Sequence, residues 1–302
     1  MPGLFYQPVQ RRNFLKITSA AGAAALISGC QSTASRQQSG AEGKSLHLAL
    51  LSDTHIPADR MNGSRGFNPW ENLKTVVPQV QEARPDGVIL CGDAARLEGL
   101  EGDYKEVRAL LEPVAAISPI VIGLGNHDDR ANFNKVFTQT AGDNAGVKDK
   151  HVVVLDEEVA RIVVLDSLLY VNKVPGLLGK EQRKWLGDYL ATNSDKPMVL
   201  FVHHTLEDND GDLLDAKSLF EIITPHPQVK AIFFGHSHVW SLTNRDGIEL
   251  VNLPAIGYNF RDQDPVGWVD ARFDAGGVNL TLRTIGGNQA ENKRITRLNW
   301  RA

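Results

Sequence analysis

The chain has 302 residues, 42% hydrophobic and 23% charged, enough for one α/β domain with a real core or for two small ones. Its 32 basic and 36 acidic residues leave a formal net charge of −4, and no Lys/Arg cluster stands near the motifs below, so no nucleic-acid partner is expected. Past the N-terminus no stretch reaches the ~18 uninterrupted apolar residues of a membrane span. The two cysteines, Cys30 and Cys91, do not form a disulfide framework; Cys91 ends an apolar strand and reads as a small buried filler.

Arg11-Arg12-Asn13-Phe14-Leu15-Lys16 precedes an alanine-rich apolar run ending Leu26-Ile27-Ser28-Gly29-Cys30. A basic head followed by a short apolar run is the pattern of an export segment and is kept out of the fold. The arginine pair ahead of Phe-Leu-Lys resembles the twin-arginine export signal, and LISGC resembles the bacterial lipobox. These resemblances imply a signal over residues 1–30, a lipid anchor on Cys30, and a place on the periplasmic face of a bacterial cell envelope. A short amphipathic helix is the alternative. Residues 31–45 are polar and bear glycine and serine, which reads as a flexible tether, so the domain is expected over 46–302.

HLALLSD (47–53) reads as the first strand, and a Gly/Pro/Asn-rich loop (57–69) leads into a helix near 71–83. Leu73, Val76, Val77, Val80 and Ala83 give that helix an apolar stripe, with Pro78 placed to kink it. Strands at 87–91 and 119–123 alternate with helices at 103–116 and 131–138. Residues 151–156 and 160–166 read as antiparallel neighbours. Helix 180–190, strand 198–202, helix 215–224 and strand 229–234 then restore the alternation. From 248 onward the pattern is strand and turn, with Gly276-Gly277 as a hairpin turn. Two α/β halves, each finishing in antiparallel strands, predict an α/β fold: a four-layer α-β-β-α sandwich of two packed mixed sheets with helices outside.

Five polar corners follow apolar runs: LSDTH (51–55), CGD (91–93), GLGNHDD (123–129), FVHH (201–204) and FFGHSH (233–238). Each stands at the C-terminal end of a predicted strand, where open α/β sheets place their ligand sites. Together they offer two aspartates, an asparagine and four or five histidines, too many donors for one metal and suited to two. A carboxylate such as Asp93 can bridge two cations that would otherwise repel each other. Imidazoles suit Fe, Mn or Zn.

D-x-H (53–55), G-D (92–93), G-N-H-D (125–128), H-H (203–204) and G-H-S-H (235–238) resemble, in order, the motifs of the calcineurin-like metallophosphoesterases. The resemblance covers about residues 46–240. It is nearest the small bacterial cyclic-nucleotide and glycerophosphodiester phosphodiesterases. It implies two divalent or trivalent transition-metal ions (Fe, Mn or Zn) and a small phosphoester substrate. By position it gives Asp53, His55 and His238 to the first metal and Asn126, His203 and His236 to the second, with Asp93 between them. His127 would be a catalytic histidine outside the ligand set. Asp128 would either orient it or cap the following helix. GKEQRKWL (179–186) is similar to the family's helix opening.

Thr205 stands where a proline usually follows the histidine pair, which leaves open whether His203 or His204 faces the metal. Glu207-Asp208-Asn209-Asp210 is an unusual acidic run beside an anionic substrate. No tyrosine follows Asp93, so the tyrosinate ligation of purple acid phosphatases is not expected. Arg96 and Arg130 are candidates for phosphate contact or for salt bridges. The loop at 57–69, with Arg60, Asn62, Arg65 and Trp70, and the stretch 257–265, with Tyr258 and Phe260, are candidate substrate rims. Three functions remain open on these residues: phosphodiesterase, phosphomonoesterase or nucleotidase, and an inactive envelope lipoprotein that binds without catalysis. A nucleic-acid exonuclease is disfavoured by the net charge and the absence of Lys/Arg clusters near the motifs.

Overall fold

The computed structural model describes residues 4–5, 44–137 and 146–302. The export segment with Cys30, the tether up to residue 43, and the last residue of the helix expected at 131–138 lie outside the described residues. In chain order the elements are β1 (Leu4–Phe5), β2 (Leu46–Leu51), α1 (Pro69–Ala83), β3 (Gly87–Cys91), α2 (Glu101–Ala115), β4 (Ile120–Gly123) and α3 (Arg130–Val136). There follow β5 (Val153–Asp156), β6 (Arg161–Val164), α4 (Lys180–Thr192), β7 (Met198–Phe201), α5 (Ala216–Ile223) and β8 (Val229–Phe234). The chain ends with β9 (Ser241–Arg245), β10 (Ile248–Asn252), β11 (Pro265–Asp274), β12 (Gly277–Gly287) and β13 (Ile295–Asn299).

These strands make two mixed sheets, ordered β1-β4-β3-β2-β11-β12-β13 and β5-β6-β7-β8-β10-β9. Alternate residues of each central strand serve different layers. Leu46, Leu48, Leu50, Ile89 and Val121 of the first sheet pack against Ile162, Val164, Val199, Phe201, Ala231 and Phe233 of the second. Ala49, Leu51, Val88, Leu90, Ile120 and Ile122 point the other way, onto the apolar faces of α1, α2 and α3. Val163, Leu200, Ile232 and Phe234 meet α4 and α5 in the same manner. Burial on both faces explains why these strands read as continuous apolar runs. Phe201 and Phe233 stack at 5.0 Å in the middle layer, a contact worth about 0.5–1.5 kcal/mol beyond the area it buries. The four-layer sandwich expected from the sequence is the fold observed.

α1 runs through Pro78, which lies on the exposed side, so the carbonyl left without its amide partner faces water. Two local features differ from expectation. The polar strand β9 is an edge strand joined to β10 by Asp246-Gly247, both at positive φ (54° and 80°). An Asp-Gly pair of this kind is a hairpin signal, and it was the readable sign of β9. Because β9 runs out and back, β10 enters the second sheet parallel to β8, where antiparallel pairing was expected from 248 onward.

Candidate metal centre

The corners at the ends of β2, β3, β4, β7 and β8 converge at one edge of the sandwich. Asp53, His55, Asp93, His236 and His238 all have positive φ (51°, 46°, 49°, 70° and 56°), five of the eleven such non-glycine residues among those described. The left-handed conformation costs roughly 1–2 kcal/mol per residue, so it persists only where surrounding bonds over-determine it. Here the Asp53 and His55 amides donate to the Gly92 and Asp93 carbonyls (3.1 and 2.9 Å), and the Gly257 amide donates to the Asp53 carbonyl (2.9 Å). Close approach also matters. A Cβ on Gly125 would lie 2.2 Å from Asp93 Oδ1, and one on Gly235 would lie 2.4 Å from Asp53 Oδ2.

Asp53, His55, Asp93, Asn126, His203 and His238 are each at most 2% exposed. The donor atoms of Asp53, His55 and His238 lie within 4.8 Å of one another, as do those of Asp93, His203 and His236. A third such group, His55, Asp93 and His127, lies between them. Asp93 Oδ2 is 3.7 Å from His55 Nε2 and 3.4 Å from His203 Nε2. Asp53 Oδ1 is 3.4 Å from His238 Nε2.

Backbone carbonyls fix the rings. Nδ1 of His127, His203 and His238 meets the carbonyls of Leu97 (2.9 Å), Cys91 (2.9 Å) and Tyr258 (2.5 Å). Nε2 of His236 meets that of Gly211 (3.1 Å). A carbonyl only accepts, so each of these nitrogens donates and the opposite nitrogen of the neutral ring turns a lone pair to the site. His55 Nε2 then faces His238 Nε2 at 3.0 Å, an approach that a proton or a cation must mediate. His203 Nε2 and Asn126 Oδ1 are buried without a hydrogen-bond partner, which is costly unless something binds them. Electrostatics point the same way. Burial would lower the His203 pKa, yet the charges of Asp93 and Asp53 raise it to about 10. Burial would raise both carboxyls, yet His203 holds them well below their ordinary range. Burial lowers His55 to about 3 against the pull of Asp93, and burial with the His203 charge lowers His236 to about 4. Two carboxylates and imidazoles whose free nitrogens converge fit a pair of cations, which would take the place of the proton that Asp93 and Asp53 draw onto His203.

His203, not His204, faces this group. His204 turns away: its Nδ1 meets Ser167 Oγ at 2.7 Å, and a Cβ on Gly176 would strike its ring. Thr205 has its own task, donating from its hydroxyl to the Asp212 carboxylate.

Asp128 does neither thing expected of it. Its carboxylate accepts from the amides of Gly125 (2.9 Å), Ala95 (3.1 Å) and Ala94 (3.3 Å) and from the Tyr104 hydroxyl (3.0 Å). The helix cap is Asp129, which accepts from the Asn132 amide, and the His127 ring is held by Leu97. Asp128 therefore ties the Asp93 corner to the Asn126 corner. Burial, then the Asp93 charge, raises its pKa to about 6.

The two arginines part company. Arg130 forks onto Asp166 with two 2.7 Å bonds and is a salt-bridge residue. Arg96 makes no salt bridge among the described residues and lies 5.7 Å from the centroid of the Tyr258 ring, which packs against His55 and His238. Of the rim candidates, Phe260 stacks on His238 at 4.3 Å and Arg65 covers Phe260. Arg60 and Trp70 are instead held back by Glu106. Cys91 lies in the inter-sheet core, where burial raises its thiol pKa. The carbonyls of Leu97, Gly211 and Tyr258, and the Tyr104 hydroxyl, were not foreseen. A backbone acceptor leaves no mark on residue type.

The calcineurin-like phosphoesterase family model matches residues 46–240. The chain belongs to that family. The family and the buried donor set make this calcineurin-like phosphoesterase a metal-dependent hydrolase. A twin-arginine translocation signal model matches residues 8–28, so the chain carries an export signal for passage across a membrane. The chain is 31% identical over 206 residues (64% of this chain, 72% of the relative) to a "probable cyclic nucleotide phosphodiesterase" of Rhodopseudomonas palustris. It is 27% identical over 216 residues (69% and 76%) to a glycerophosphodiester phosphodiesterase of Enterobacter lignolyticus. Its fold is similar to that of a dimetal phosphatase from Danio rerio (TM-score 0.69, 14% identity, 85% of this chain and 99% of that one).

Proposed function

We propose that this phosphoesterase is a phosphodiesterase acting on a small substrate with two transition-metal ions (Fe, Mn or Zn). Asp53, His55 and His238 would hold the first ion and Asn126, His203 and His236 the second, with Asp93 shared. The observation that carries this reading is Asp93 Oδ2, 3.7 Å from His55 and 3.4 Å from His203, one histidine from each group, and nearer to both than Asp53 Oδ1 at 3.9 Å. Such a metal pair supplies Lewis acidity at the phosphoryl oxygens and acidifies a water. The chain's own residues orient the ester. The Arg96 guanidinium, without a salt bridge among the described residues and set beside Tyr258, would meet a non-bridging oxygen. His127 is half-buried and its Nδ1 donates to the Leu97 carbonyl, which leaves Nε2 toward the substrate. As the imidazolium, protonated at both nitrogens, it would give the Nε2 proton to the leaving oxygen and remain as the neutral Nδ1–H ring.

Diesters are favoured over monoesters because the mouth is not uniformly basic. Arg130 is consumed by Asp166, and the exposed Glu207, Asp208 and Asp210 adjoin Gly211, whose carbonyl holds His236. The relatives named as cyclic-nucleotide and glycerophosphodiester phosphodiesterases support the same choice. Protein loaded separately with Mn, Fe and Zn should hydrolyse bis(4-nitrophenyl) phosphate with a higher kcat/KM than 4-nitrophenyl phosphate. A preference for the monoester under every loading would overturn the diesterase reading.

The second ion also separates the adjacent histidines. His203→Ala is expected to lose it, whereas His204→Ala keeps it. Anomalous scattering maps of both variants check this, and the reverse pattern would show that His204 is the ligand.

An anchor on Cys30 is the finer part of the localisation. The tether joins at the start of β2 and Asp53 lies just past its end, about 20 Å away for a six-residue strand. The site therefore opens away from the point of attachment. Arg11→Lys with Arg12→Lys should block export, and Cys30→Ser should release an exported protein from the membrane fraction. Acyl labelling of the wild type without incorporation would rule out the lipid anchor.

A further inference from the structure

The outer support of the two proposed metal sites is of different kinds. The first site rests on the sheet. His238 is held by the Tyr258 carbonyl, and Asp53 and His55 are fixed by amide bonds to the β3 corner and to Gly257. In the second, His203 is held by the Cys91 carbonyl of β3, but His236 and the Asn126 corner lean on a loop, residues 205–213, that leaves the β7 corner and returns. Thr205 closes this loop twice: its hydroxyl donates to Asp212 Oδ1, and its carbonyl accepts from the Leu213 amide at 2.9 Å. Asp212 Oδ2 accepts from the backbone and side-chain nitrogens of Asn209 (3.1 and 2.9 Å).

From this closed loop two contacts reach the second site. The Gly211 carbonyl takes the His236 Nε2 proton at 3.1 Å. The Asp212 carbonyl accepts from Gly176 (3.0 Å), tying down the segment whose Asn172 amide donates to the Asn126 carbonyl (2.6 Å). His203 is two residues before Thr205 in the chain. His236 and the Asn126 corner are thus reached through one buried pair, Thr205 and Asp212, which are 7% and 8% exposed.

We infer that the Thr205–Asp212 clasp is a positioning device that sets the affinity of the second metal site without altering the first. The inference rests on the ligand assignment proposed above. Thr205 takes up by hydrogen bonding the stiffening that a proline would supply at this corner. Its loss frees the Gly211 carbonyl, and with it the tautomer and angle of the His236 ring.

The test is Mn²⁺ titration of metal-free protein by calorimetry, with electron paramagnetic resonance to distinguish a coupled ion pair from a single ion. Wild type should take two ions and show the coupled spectrum. Thr205→Val, which keeps the shape and removes the donor, should weaken one site about 10- to 100-fold, the usual scale for an outer partner of a metal ligand. Its other site should be unchanged, with a single-ion spectrum at intermediate loading, and Thr205→Ser should restore wild-type binding. Asp212→Asn, which keeps the threonine's acceptor but puts an amide nitrogen against the Asn209 donors, should weaken the same site and serves if Thr205→Val does not fold. Unchanged affinities, equal weakening of both sites, or no rescue by serine would overturn the inference. A wild type that takes one ion would overturn the binuclear assignment itself, and the clasp's role with it. That failure is recognisable because it shows in the wild type, before any variant is compared.

Discussion

Replacing Asp93 by alanine is expected to remove both metal ions from the protein and to lower kcat/KM by about 10³-fold or more, since losing even one preorganised electrostatic group costs about 10²–10³. Asp53 Oδ1 also faces His55 and His203, at 3.9 Å from each, but Asp93 approaches both more closely and is the one that also holds the His127 amide. Asp93 Oδ2 stands between His55 and His203, while Asp93 Oδ1 accepts the His127 amide at 2.8 Å. Removing the side chain therefore unties the histidines from each other and loosens the Asn126-His127 corner at the same time. The donor groups are buried, so the variant would leave neutral imidazoles and Asp53 facing one another without the charge that organises them. Elemental analysis after loading, with Asn126→Ala as a comparison that should lose only the second ion, checks the expectation. Full activity with one ion per chain would refute a binuclear mechanism.

The second large effect concerns His127. His127→Ala should keep both ions and the fold while kcat falls by about 10²–10⁴, the scale of a lost general acid. The ring sits beside the metal ligands, not among them in the proposed assignment. Its Nδ1 is committed to Leu97, and Nε2 remains for the substrate. The loss should be smaller for a nitrophenyl ester, whose leaving group departs without a proton, than for an alkyl ester. Equal losses on both would instead mark an electrostatic role at the phosphoryl oxygens, because that charge develops with either leaving group. The His127 donor lies close enough to His55 and Asp93 to form a third ligand group. Metal loss in this variant would therefore place His127 in the coordination sphere and overturn its assignment as an acid.

The sequence alone determined the layered fold and the residues available for chemistry. A strand buried on both faces must be apolar throughout, and a donor corner must follow it where the sheet ends. Runs such as Val88–Cys91 before Gly92-Asp93, or Val199–Val202 before His203, are therefore legible as strand and site together. The order of the five corners carried the family. Only the tertiary structure decided how those residues divide their tasks. That His203 faces Asp93 while His204 meets Ser167, and that Asp128 binds the amides of Ala94 and Ala95, depends on contacts between segments 30 or more residues apart, which leave the α3 cap to Asp129. The choice of ring nitrogen is made by carbonyls of Leu97, Cys91, Gly211 and Tyr258, and every residue carries the same carbonyl. The Thr205–Asp212 clasp was hidden for a related reason. A threonine in place of a proline shows what has been lost from a turn, whereas the bond that compensates for it exists only once the loop has closed.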